Sequence, residues 1–474
     1  MLVERIRPTP VPWQNNDMAK PKAAKSKAPV DASTKAQMTA APPTAKSESM
    51  NRTLHAAKAA KQDEFYTQYV DIQKEVAAYL EFDPDTFRGK VVYCNCDDPF
   101  ESNFFKYFAA NFNTLGLKKL ITTSYDGSPI AGQGELFPEY HEGNGKRKKP
   151  KALAFILDVV KDEDGDGAAN IDDVKLFLKR NKAARIALKG DESYPGGDFR
   201  GAECVALLKD ADIVVTNPPF SLFREYVSQL VEHRKRFLII ASKNAITYKE
   251  IFPLIKDNKL WVGVTPMGTD LLFDVPPEVA RAMLESGKEG SNYKIVNGKV
   301  MGRSASVWFT NLDHGRRHQE LPLMTVSENL RFSKHGELKG KEAYDRYDNF
   351  DAIEVPFTDA IPSDYGGTMG VPITFIDKYN PDQFEILGIT TSTFGGSCKK
   401  YPKQVQVGKG GKRSEVTKLN DAPAIRVNVP PIGQTYYIVD GEYFVLSYHR
   451  ILVRHRRARN TIRANNEGHA ENGH

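Results

Sequence analysis

The chain has 474 residues, 40% of them hydrophobic and 27% charged, which is typical of a globular protein with two or three domains. Its four cysteines are too few for a disulfide scaffold and indicate a reducing, cytoplasmic compartment. No run of about 18 apolar residues occurs, so no membrane-spanning helix and no membrane partner are predicted.

The excess of basic residues lies at the two ends of the chain. Residues 1–60 hold ten basic and four acidic residues, and residues 450–474 hold six arginines and two glutamates. The part between them, 61–449, has 50 basic and 54 acidic residues, so a phosphate-binding surface there has to be a local patch. We expect a disordered basic leader at 1–60 and a disordered basic tail at 454–474, because both lack the apolar residues that offset ordering entropy.

Between these ends, the hydrophobic pattern first alternates helices and strands. The predicted helices are 62–82, 102–111, 172–180, 202–209 and 222–233, and the predicted strands are 90–95, 119–124, 185–189, 213–216 and 237–240. Continuously apolar strands separated by helices indicate a parallel sheet covered on both faces. We therefore predict an α/β fold with a doubly wound, Rossmann-like domain at 61–265, whose ligands bind at the carboxyl ends of its strands.

After residue 265 the predicted helices become sparse. Short β-prone runs, such as 306–310 and 436–439, are separated by glycine, proline and asparagine. This pattern predicts a second, mostly β and loop-rich domain at 266–453.

The strongest chemical signal is Asn217-Pro218-Pro219-Phe220, directly after the apolar strand 213–216. Proline fixes φ and has no N–H, so the turn is stiff and leaves the Pro218 carbonyl without a helix or sheet partner. The Asn217 amide oxygen lies beside it, and two such acceptors can bind both hydrogens of an exocyclic amino group while Phe220 stacks on the ring. Both hydrogen bonds strengthen as positive charge develops on the nitrogen, which favours its attack on a methyl sulfonium.

With this motif, the sequence resembles the EcoRI-type family of S-adenosylmethionine-dependent N6-adenine DNA methyltransferases. The other segments that carry the resemblance are 63–67, 95–104, 198–223, 243–250, 308–312 and 384–388. The resemblance implies an enzyme that binds double-stranded DNA, flips the target adenine out and methylates it. We expect it to act as a monomer, because one chain contains both the catalytic and the DNA-reading parts. It makes Asn217, Pro218, Pro219 and Phe220 the catalytic residues and 266–453 a target-recognition domain, in restriction–modification or in self-protection of phage or plasmid DNA.

The resemblance also assigns contacts to S-adenosylmethionine. Tyr66 and Thr67 are similar to the element at the methionine end of the cofactor. Asn95 begins the first cofactor loop, where acidic and polar residues replace the Gly-x-Gly of many methyltransferases. Asp97 or Asp98 is expected to bind the methionine ammonium, and the alternative is that one of them caps the following helix.

Three further positions complete the expected cofactor site. Asp126, after the second strand, is the candidate ligand of the ribose hydroxyls. Asp198 and Phe199 resemble the element that holds the adenine of the cofactor, with the Asp198 carboxylate accepting from its amino group. Asp191, which closes the strand 185–189, is the alternative to Asp198.

Other charged clusters leave alternatives open. The acidic segment from Asp162 to Asp173 fits a calcium-loop template in part, but a solvated loop that caps a helix is favoured, and no metal site is predicted. Basic clusters at 146–149, 316–317 and 399–413 are expected to contact phosphates.

Two alternatives to DNA methylation remain at this point. One is methyl transfer to RNA or to a protein glutamine, because enzymes of those classes share the Asn217–Phe220 motif. The other is a non-catalytic DNA-binding relative, which the missing glycines of the first cofactor loop suggest.

Overall fold

The structure is a computed structural model that describes most of the chain. The described residues are 67–96, 102–125, 152–165, 170–181, 184–269, 271–275 and 277–456. The predicted leader at 1–60 lies outside them. No helix among these residues is long and apolar enough to cross a membrane.

The helices and strands are numbered in chain order. The helices are α1 (Tyr69–Phe82), α2 (Asn103–Ala110), α3 (Phe112–Leu115), α4 (Ile171–Arg180), α5 (Ala202–Asp210), α6 (Phe223–Glu232), α7 (Phe252–Lys256), α8 (Pro277–Glu285) and α9 (Val326–Phe332). The strands are β1 (Val91–Cys94), β2 (Lys119–Thr123), β3 (Leu153–Leu157), β4 (Arg185–Ala187), β5 (Ile213–Thr216), β6 (Arg236–Ser242), β7 (Trp261–Val262), β8 (Leu271–Asp274), β9 (Tyr293–Val296), β10 (Lys299–Ser304), β11 (Ser306–Thr310), β12 (Ile353–Glu354), β13 (Met369–Pro372), β14 (Phe384–Ile389), β15 (Gln404–Val407), β16 (Arg413–Val416), β17 (Ala424–Val427), β18 (Tyr436–Val439), β19 (Glu442–Leu446) and β20 (Arg450–His455).

A mixed eight-stranded sheet forms the framework of the first half, in the order β4-β3-β2-β1-β5-β6-β11-β7. Its centre, β2-β1-β5-β6, is parallel. Its two margins are antiparallel, because β3 pairs antiparallel with β2 and β4, and β11 pairs antiparallel with β6 and β7. The fold is therefore mixed α/β. The predicted parallel sheet is confirmed for the four central strands and is wrong at both margins.

Two strands explain the difference from the prediction. β3 was not predicted from the sequence, and it lies between β2 and β4 in the sheet. β11 comes from beyond residue 265, yet it lies in the large sheet beside β6. A short apolar run shows that a strand forms but does not show which strand it pairs with or in which direction.

Helices cover both faces of the large sheet, and successive strand residues point to opposite faces. On one face, Val91 and Tyr93 of β1 pack in a cluster with residues of α5, α6 and α7. On the other face, Val92 and Cys94 pack with residues of α1, α2 and α4. This arrangement explains why the central strands are continuously apolar: each side chain has a buried partner layer.

The second half contains three further sheets among its described residues. Their strand orders are β8-β10-β9, β12-β13-β20-β14 and β16-β15-β18-β19-β17. The four-stranded sheet shares a hydrophobic cluster with the large sheet, which joins Ile451 and Val453 of β20 to Val214 and Ile239. The core is therefore continuous across residue 265, the predicted domain boundary. β20 also ends at His455, so the first two residues of the predicted tail belong to a sheet.

The five-stranded sheet has a small core of its own and is bound through Asn349 to the loop that precedes β12. This core includes Tyr401, Leu419 and Phe444. The Asn349 amide donates to the Leu419 carbonyl at 3.0 Å, and its oxygen accepts from the Ala424 N–H at 2.8 Å. Because Asn349 is fully buried, these hydrogen bonds are shielded from water and hold the sheet in place.

Candidate active site

The order of the central strands creates a position for a ligand. β1 and β5 are neighbours in the sheet, and the chain leaves β1 towards β2 on one side but leaves β5 towards β6 on the other. In open α/β sheets, ligands bind at such a switch point, outside the carboxyl ends of the strands. Asn95 follows β1 and Asn217 follows β5. The structure thus brings these two predicted site residues to the same edge of the sheet.

Asn95 connects three neighbouring strand ends. Its Oδ1 accepts a hydrogen bond from Thr123 Oγ1 of β2 at 2.8 Å, and its carbonyl oxygen accepts one from Thr216 Oγ1 of β5. Asn95 is only 1% exposed, so water does not compete for these bonds. The contacts that the structure gives Asn95 hold the strand ends together.

The turn from Asn217 to Phe220 joins β5 to a short 3₁₀ helix, Phe220–Leu222, and then to α6. Pro219 has φ −55° and ψ 117°, which is not helical, and its carbonyl accepts from the Leu222 N–H at 2.9 Å. Pro218 lies before this helix and outside the strand. Asn217 is 4% exposed, whereas Pro219 and Phe220 are half-buried. The ring at position 220 therefore faces partly outward, beside a buried amide.

Asp198 and Phe199 lie in a turn fixed by the two glycines that precede them. A Cβ on Gly196 would lie 2.3 Å from the Leu188 carbonyl oxygen, and one on Gly197 would lie 2.0 Å from that of Ser124, just after β2. Gly197 also has φ +81°, a conformation that side chains disfavour. Only glycine lets the chain approach this closely, and the approach brings Asp198 to the carboxyl end of β2.

The Asp198 carboxylate is buried, 7% exposed, and is held by Arg200. Its Oδ1 accepts from Arg200 Nε at 3.0 Å and its Oδ2 from Arg200 Nη2 at 2.8 Å. This pairing raises the pKa of Arg200 above its usual range. Phe199 is 2% exposed and packs edge-on against Tyr226 of α6, with ring centroids 4.9 Å apart. Two carboxylate oxygens offer about four acceptor sites, so Asp198 retains capacity for a further donor.

Asp191, the alternative to Asp198, is occupied by backbone groups. Its Oδ2 accepts from Ala202 N at the start of α5, and its Oδ1 accepts from Ser193 N and Tyr194 N, all at 2.8–3.1 Å. These hydrogen bonds hold the pKa of Asp191 below its usual range. Stabilising this turn and the start of α5 is therefore a sufficient structural role for Asp191, without a contact to the cofactor.

Thr67 lies at the amino end of α2. Its carbonyl oxygen accepts from Asn103 Nδ2 at 2.8 Å, and Asn103 is the first residue of that helix. Thr67 is 3% exposed, and its hydroxyl has no hydrogen-bond partner in the part of the chain that the structure describes. A buried hydroxyl without a partner is unfavourable by itself and fits a site completed by a bound molecule.

Four predicted cofactor residues, Tyr66, Asp97, Asp98 and Asp126, lie outside the described residues. The helix that Asp97 or Asp98 was alternatively expected to cap is α2. Its N-cap is Ser102, whose Oγ accepts from the Phe104 N–H at 3.1 Å.

The acidic loop has the favoured capping role. Asn170 and Asp173 form a capping box at the start of α4, and Asp173 also accepts from Glu163 N at 2.6 Å. Carboxylate oxygens of Asp162, Asp164 and Asp173 lie within 4.8 Å of one another. Calcium binding stays the less favoured alternative for this loop.

The prediction that Arg316 and Arg317 contact phosphates is wrong for Arg317. Its side chain is 7% exposed, stacks 3.5 Å from the Trp261 ring centroid and pairs with Asp313 at 3.0 Å. Arg316 donates to the Val264 carbonyl and lies 3.6 Å from Asp377. Both arginines hold loops of the second half against the large sheet.

Sequence reasoning missed four residues that are not expected to contact the cofactor or the substrate but that position the residues that are. Thr123 and Thr216 bind Asn95, and Gly196 and Gly197 allow the close approach of the Asp198 turn. The adjacent glycines before Asp198 are the one signal that would have suggested a tight backbone approach.

Comparisons with known proteins agree on one family. Residues 53–456 match the family model of the adenine-specific methyltransferase EcoRI. A Type II methyltransferase of Escherichia coli, M.EcoRI, is 44% identical over 343 residues, covering 71% of this chain and 89% of that protein. M.MpnI of Mycoplasma pneumoniae is 34% identical over 335 residues, covering 70% of this chain and 83% of that protein.

A third relative, M.MgeORF184P of Mycoplasma genitalium, is 36% identical over 332 residues, covering 70% of this chain and 84% of that protein. No solved structure matches the chain. The family match spans most of the chain and includes the turn from Asn217 to Phe220. The chain therefore belongs to the EcoRI family of adenine-specific methyltransferases and is a DNA methyltransferase.

Proposed function

We propose that this enzyme transfers a methyl group from S-adenosylmethionine to N6 of an adenine that has been flipped out of duplex DNA. The observation that carries the proposal is the turn from Asn217 to Phe220 at the carboxyl end of β5, beside the Asn95 junction of three strand ends. This is the edge at which a doubly wound, Rossmann-like sheet binds its ligands.

The proposed chemistry uses acceptors that the turn holds rigidly. The Asn217 amide oxygen and the Pro218 carbonyl accept the two N–H groups of the target amine. Positive charge develops on that nitrogen during attack, so both hydrogen bonds strengthen in the transition state and lower the barrier. Phe220, half-buried, stacks on the adenine ring. Unstacking the base from the duplex costs a few kcal/mol, which contacts in this pocket offset.

Two described residues, Thr67 and Asp198, fit contacts to the proposed cofactor, and Arg200 orients one of them. S-adenosylmethionine would supply an electrophilic methyl group on a sulfonium. Thr67 would donate its buried hydroxyl, and Asp198 would accept from an amino group while Arg200 fixes its orientation. Neighbouring strands lie about 4.8 Å apart, so the ends of β2, β1 and β5 span about 10 Å, enough for an elongated cofactor.

A Thr67→Val substitution is expected to weaken S-adenosylmethionine binding by about 2–10-fold without destabilising the free enzyme. Valine keeps the shape of threonine and removes a hydroxyl that has no partner among the described residues. One lost hydrogen bond is worth about 0.5–1.5 kcal/mol. Calorimetric titration gives the affinity, and urea unfolding without cofactor gives the stability.

Thr310→Val is the matched control. Thr310 is also buried, but its hydroxyl donates to the Phe237 carbonyl at 2.7 Å, at the opposite edge of the sheet. This variant should lose about 1 kcal/mol of stability and keep its cofactor affinity. Equal affinity in Thr67→Val and the wild type would remove Thr67 from the proposed cofactor site.

The proposed reaction is tested by following tritium from methyl-labelled S-adenosylmethionine into duplex DNA, with RNA and protein as parallel acceptors. We expect label in DNA alone, on N6-methyladenine after nucleoside digestion. Label in RNA or in a protein glutamine would show that the substrate is not DNA but that other acceptor. Binding of DNA without transfer to any acceptor would identify a non-catalytic relative.

The proposal includes a biological setting. Methylation of specific sites protects DNA from a matching endonuclease, in restriction–modification or on phage or plasmid DNA. We propose that the enzyme acts in the cytoplasm and as a monomer, because one chain contains both the candidate site and further sheets that are available for duplex recognition.

A further inference from the structure

The tip of a basic hairpin extends beyond one end of the five-stranded sheet. β15 and β16 pair over four residues each, from Gln404 opposite Val416 to Val407 opposite Arg413, and β16 is an edge strand. The five residues between them include three glycines, at 408, 410 and 411. A Cβ on Gly410 or Gly411 would meet nothing within 4 Å, so the tip of the hairpin stands in open space.

The charge of this region contrasts with that of the enzyme body. Residues 399–418 contain seven basic residues and one acidic residue, whereas 61–449 as a whole has a small acidic excess. Lys409, Lys412 and Arg413, at or beside the tip, are all exposed. These three side chains form no ion pair within the described part of the chain. Three cations without ion-pair partners at a projecting loop are a strong local attraction for a polyanion.

The shape of the hairpin also fits a nucleic acid. The major groove of duplex DNA is about 12 Å wide and admits a two-stranded β-ribbon. Glycines at the tip let the backbone approach phosphates closely, and flanking lysines and arginines neutralise them. β15 is paired with β18 as far as Val407, so the part that can enter a groove is the loop at 408–412 and the residues beside it.

A large exposed aromatic lies at the same end of the sheet. Val407, the last residue of β15, pairs with Tyr436 of β18, and β18 pairs antiparallel with β19, which ends at Leu446 on this side. Tyr448 follows two residues later and is 86% exposed. An aromatic side chain this exposed suits contact with bases or sugars, where its apolar ring is covered on binding.

We propose that the tip of the β15–β16 hairpin enters a groove of the DNA duplex, with Lys409, Lys412 and Arg413 on its phosphates and Tyr448 beside it. This inference rests on the proposed function and names the element that holds the duplex. It places the DNA contacts on the five-stranded sheet, apart from the residues assigned to methyl transfer.

The test is a triple variant, Lys409→Ala, Lys412→Ala and Arg413→Ala, in the full chain. All three positions are exposed, so folding is expected to be retained. Binding to a fluorescent duplex of mixed sequence should weaken about 10-fold or more at about 0.1 M salt. The slope of log affinity against log salt should fall by about 0.9 for each phosphate that the variant no longer neutralises, up to about 2.7. Turnover at saturating plasmid DNA should stay at the wild-type value.

The matched control removes the same charge elsewhere. Lys118, Lys209 and Arg236 are exposed and lie at the amino ends of β2, β5 and β6, the edge of the large sheet opposite the candidate site. Their triple alanine variant should bind DNA with the wild-type salt slope. Equal slopes in the hairpin variant and this control would overturn the inference.

Tyr448→Ala gives an independent readout. Removing an uncharged ring releases no counterion, so binding should weaken several-fold with an unchanged salt slope. If this variant bound DNA with wild-type affinity, Tyr448 would not be part of the proposed DNA-binding surface. A wild-type enzyme that transfers no methyl group to DNA would instead refute the proposed function, whatever the hairpin variant binds.

Discussion

Replacement of Asn217 by alanine is expected to lower turnover by about 10²–10³-fold or more, with the fold and cofactor binding retained. The loss of one preorganised group that stabilises developing charge has an effect of this size in other enzymes. Asn217 lies directly after β5, buried at the proposed switch point. Its amide oxygen is assigned to the amine that gains charge, so the loss falls on the chemical step. Single-turnover transfer of labelled methyl to plasmid DNA measures it.

Asn311→Ala is the matched control for this substitution. The Asn311 side chain accepts from Phe237 N at 2.8 Å and donates to the Lys235 carbonyl at 2.9 Å. These contacts lie at the amino end of β6, away from the candidate site at the carboxyl ends of the strands. Its loss should lower the free energy of unfolding by about 1–3 kcal/mol and leave single-turnover rates unchanged. If the two variants had similar rates, Asn217 would have no special part in catalysis.

Gly197→Ala is expected to destabilise the enzyme by about 2–5 kcal/mol, from the left-handed conformation and overpacking together. The added Cβ would lie 2.0 Å from the Ser124 carbonyl oxygen and 2.9 Å from the Tyr125 Cα, and these backbone atoms belong to the chain leaving β2. The turn that carries Asp198 and Phe199 must then move away from the strand end. Cofactor affinity should fall 10-fold or more in the fraction that folds.

Gly290→Ala is the control that distinguishes the effect of the steric clash from the effect of the left-handed backbone conformation. Gly290 has φ +82°, nearly the same as Gly197, but a Cβ there meets nothing within 4 Å. This variant should lose only about 1–2 kcal/mol and keep the wild-type affinity for S-adenosylmethionine. Thermal unfolding and calorimetric titration of both variants give the comparison. Similar results for the two would show that the close approach to β2 is unimportant.

The position of Asn95 bears on both predictions. Its side chain and carbonyl tie the ends of β2, β1 and β5 together, and Asp198 and Asn217 lie at the outer two of these ends. The proposed cofactor contact and the proposed catalytic turn are thus built on one hydrogen-bonded framework. A fully buried network of this kind is rigid, which suits a reaction that depends on in-line positioning.

Several features of this protein followed from its sequence because they depend on neighbouring residues. Strand β5 consists of three apolar residues and a threonine, and the prolines after it end the strand whatever surrounds them. The helices α2, α5 and α6 were predicted within two residues of their observed ends, because their apolar spacing is local. The chemistry of the Asn217 turn and the family resemblance also depend on consecutive residues.

Only the tertiary structure decided how these elements meet. Leu153–Leu157 has the same apolar pattern whether it runs parallel or antiparallel, so its place between β2 and β4 depends on the path of the whole chain. Arg317 belongs to a basic pair that predicted a phosphate-binding surface, yet it is covered by Trp261, which lies 56 residues earlier in the chain. Hydrogen bonds and packing between distant segments choose the strand partners and bury the charges, and a local pattern contains no information about either.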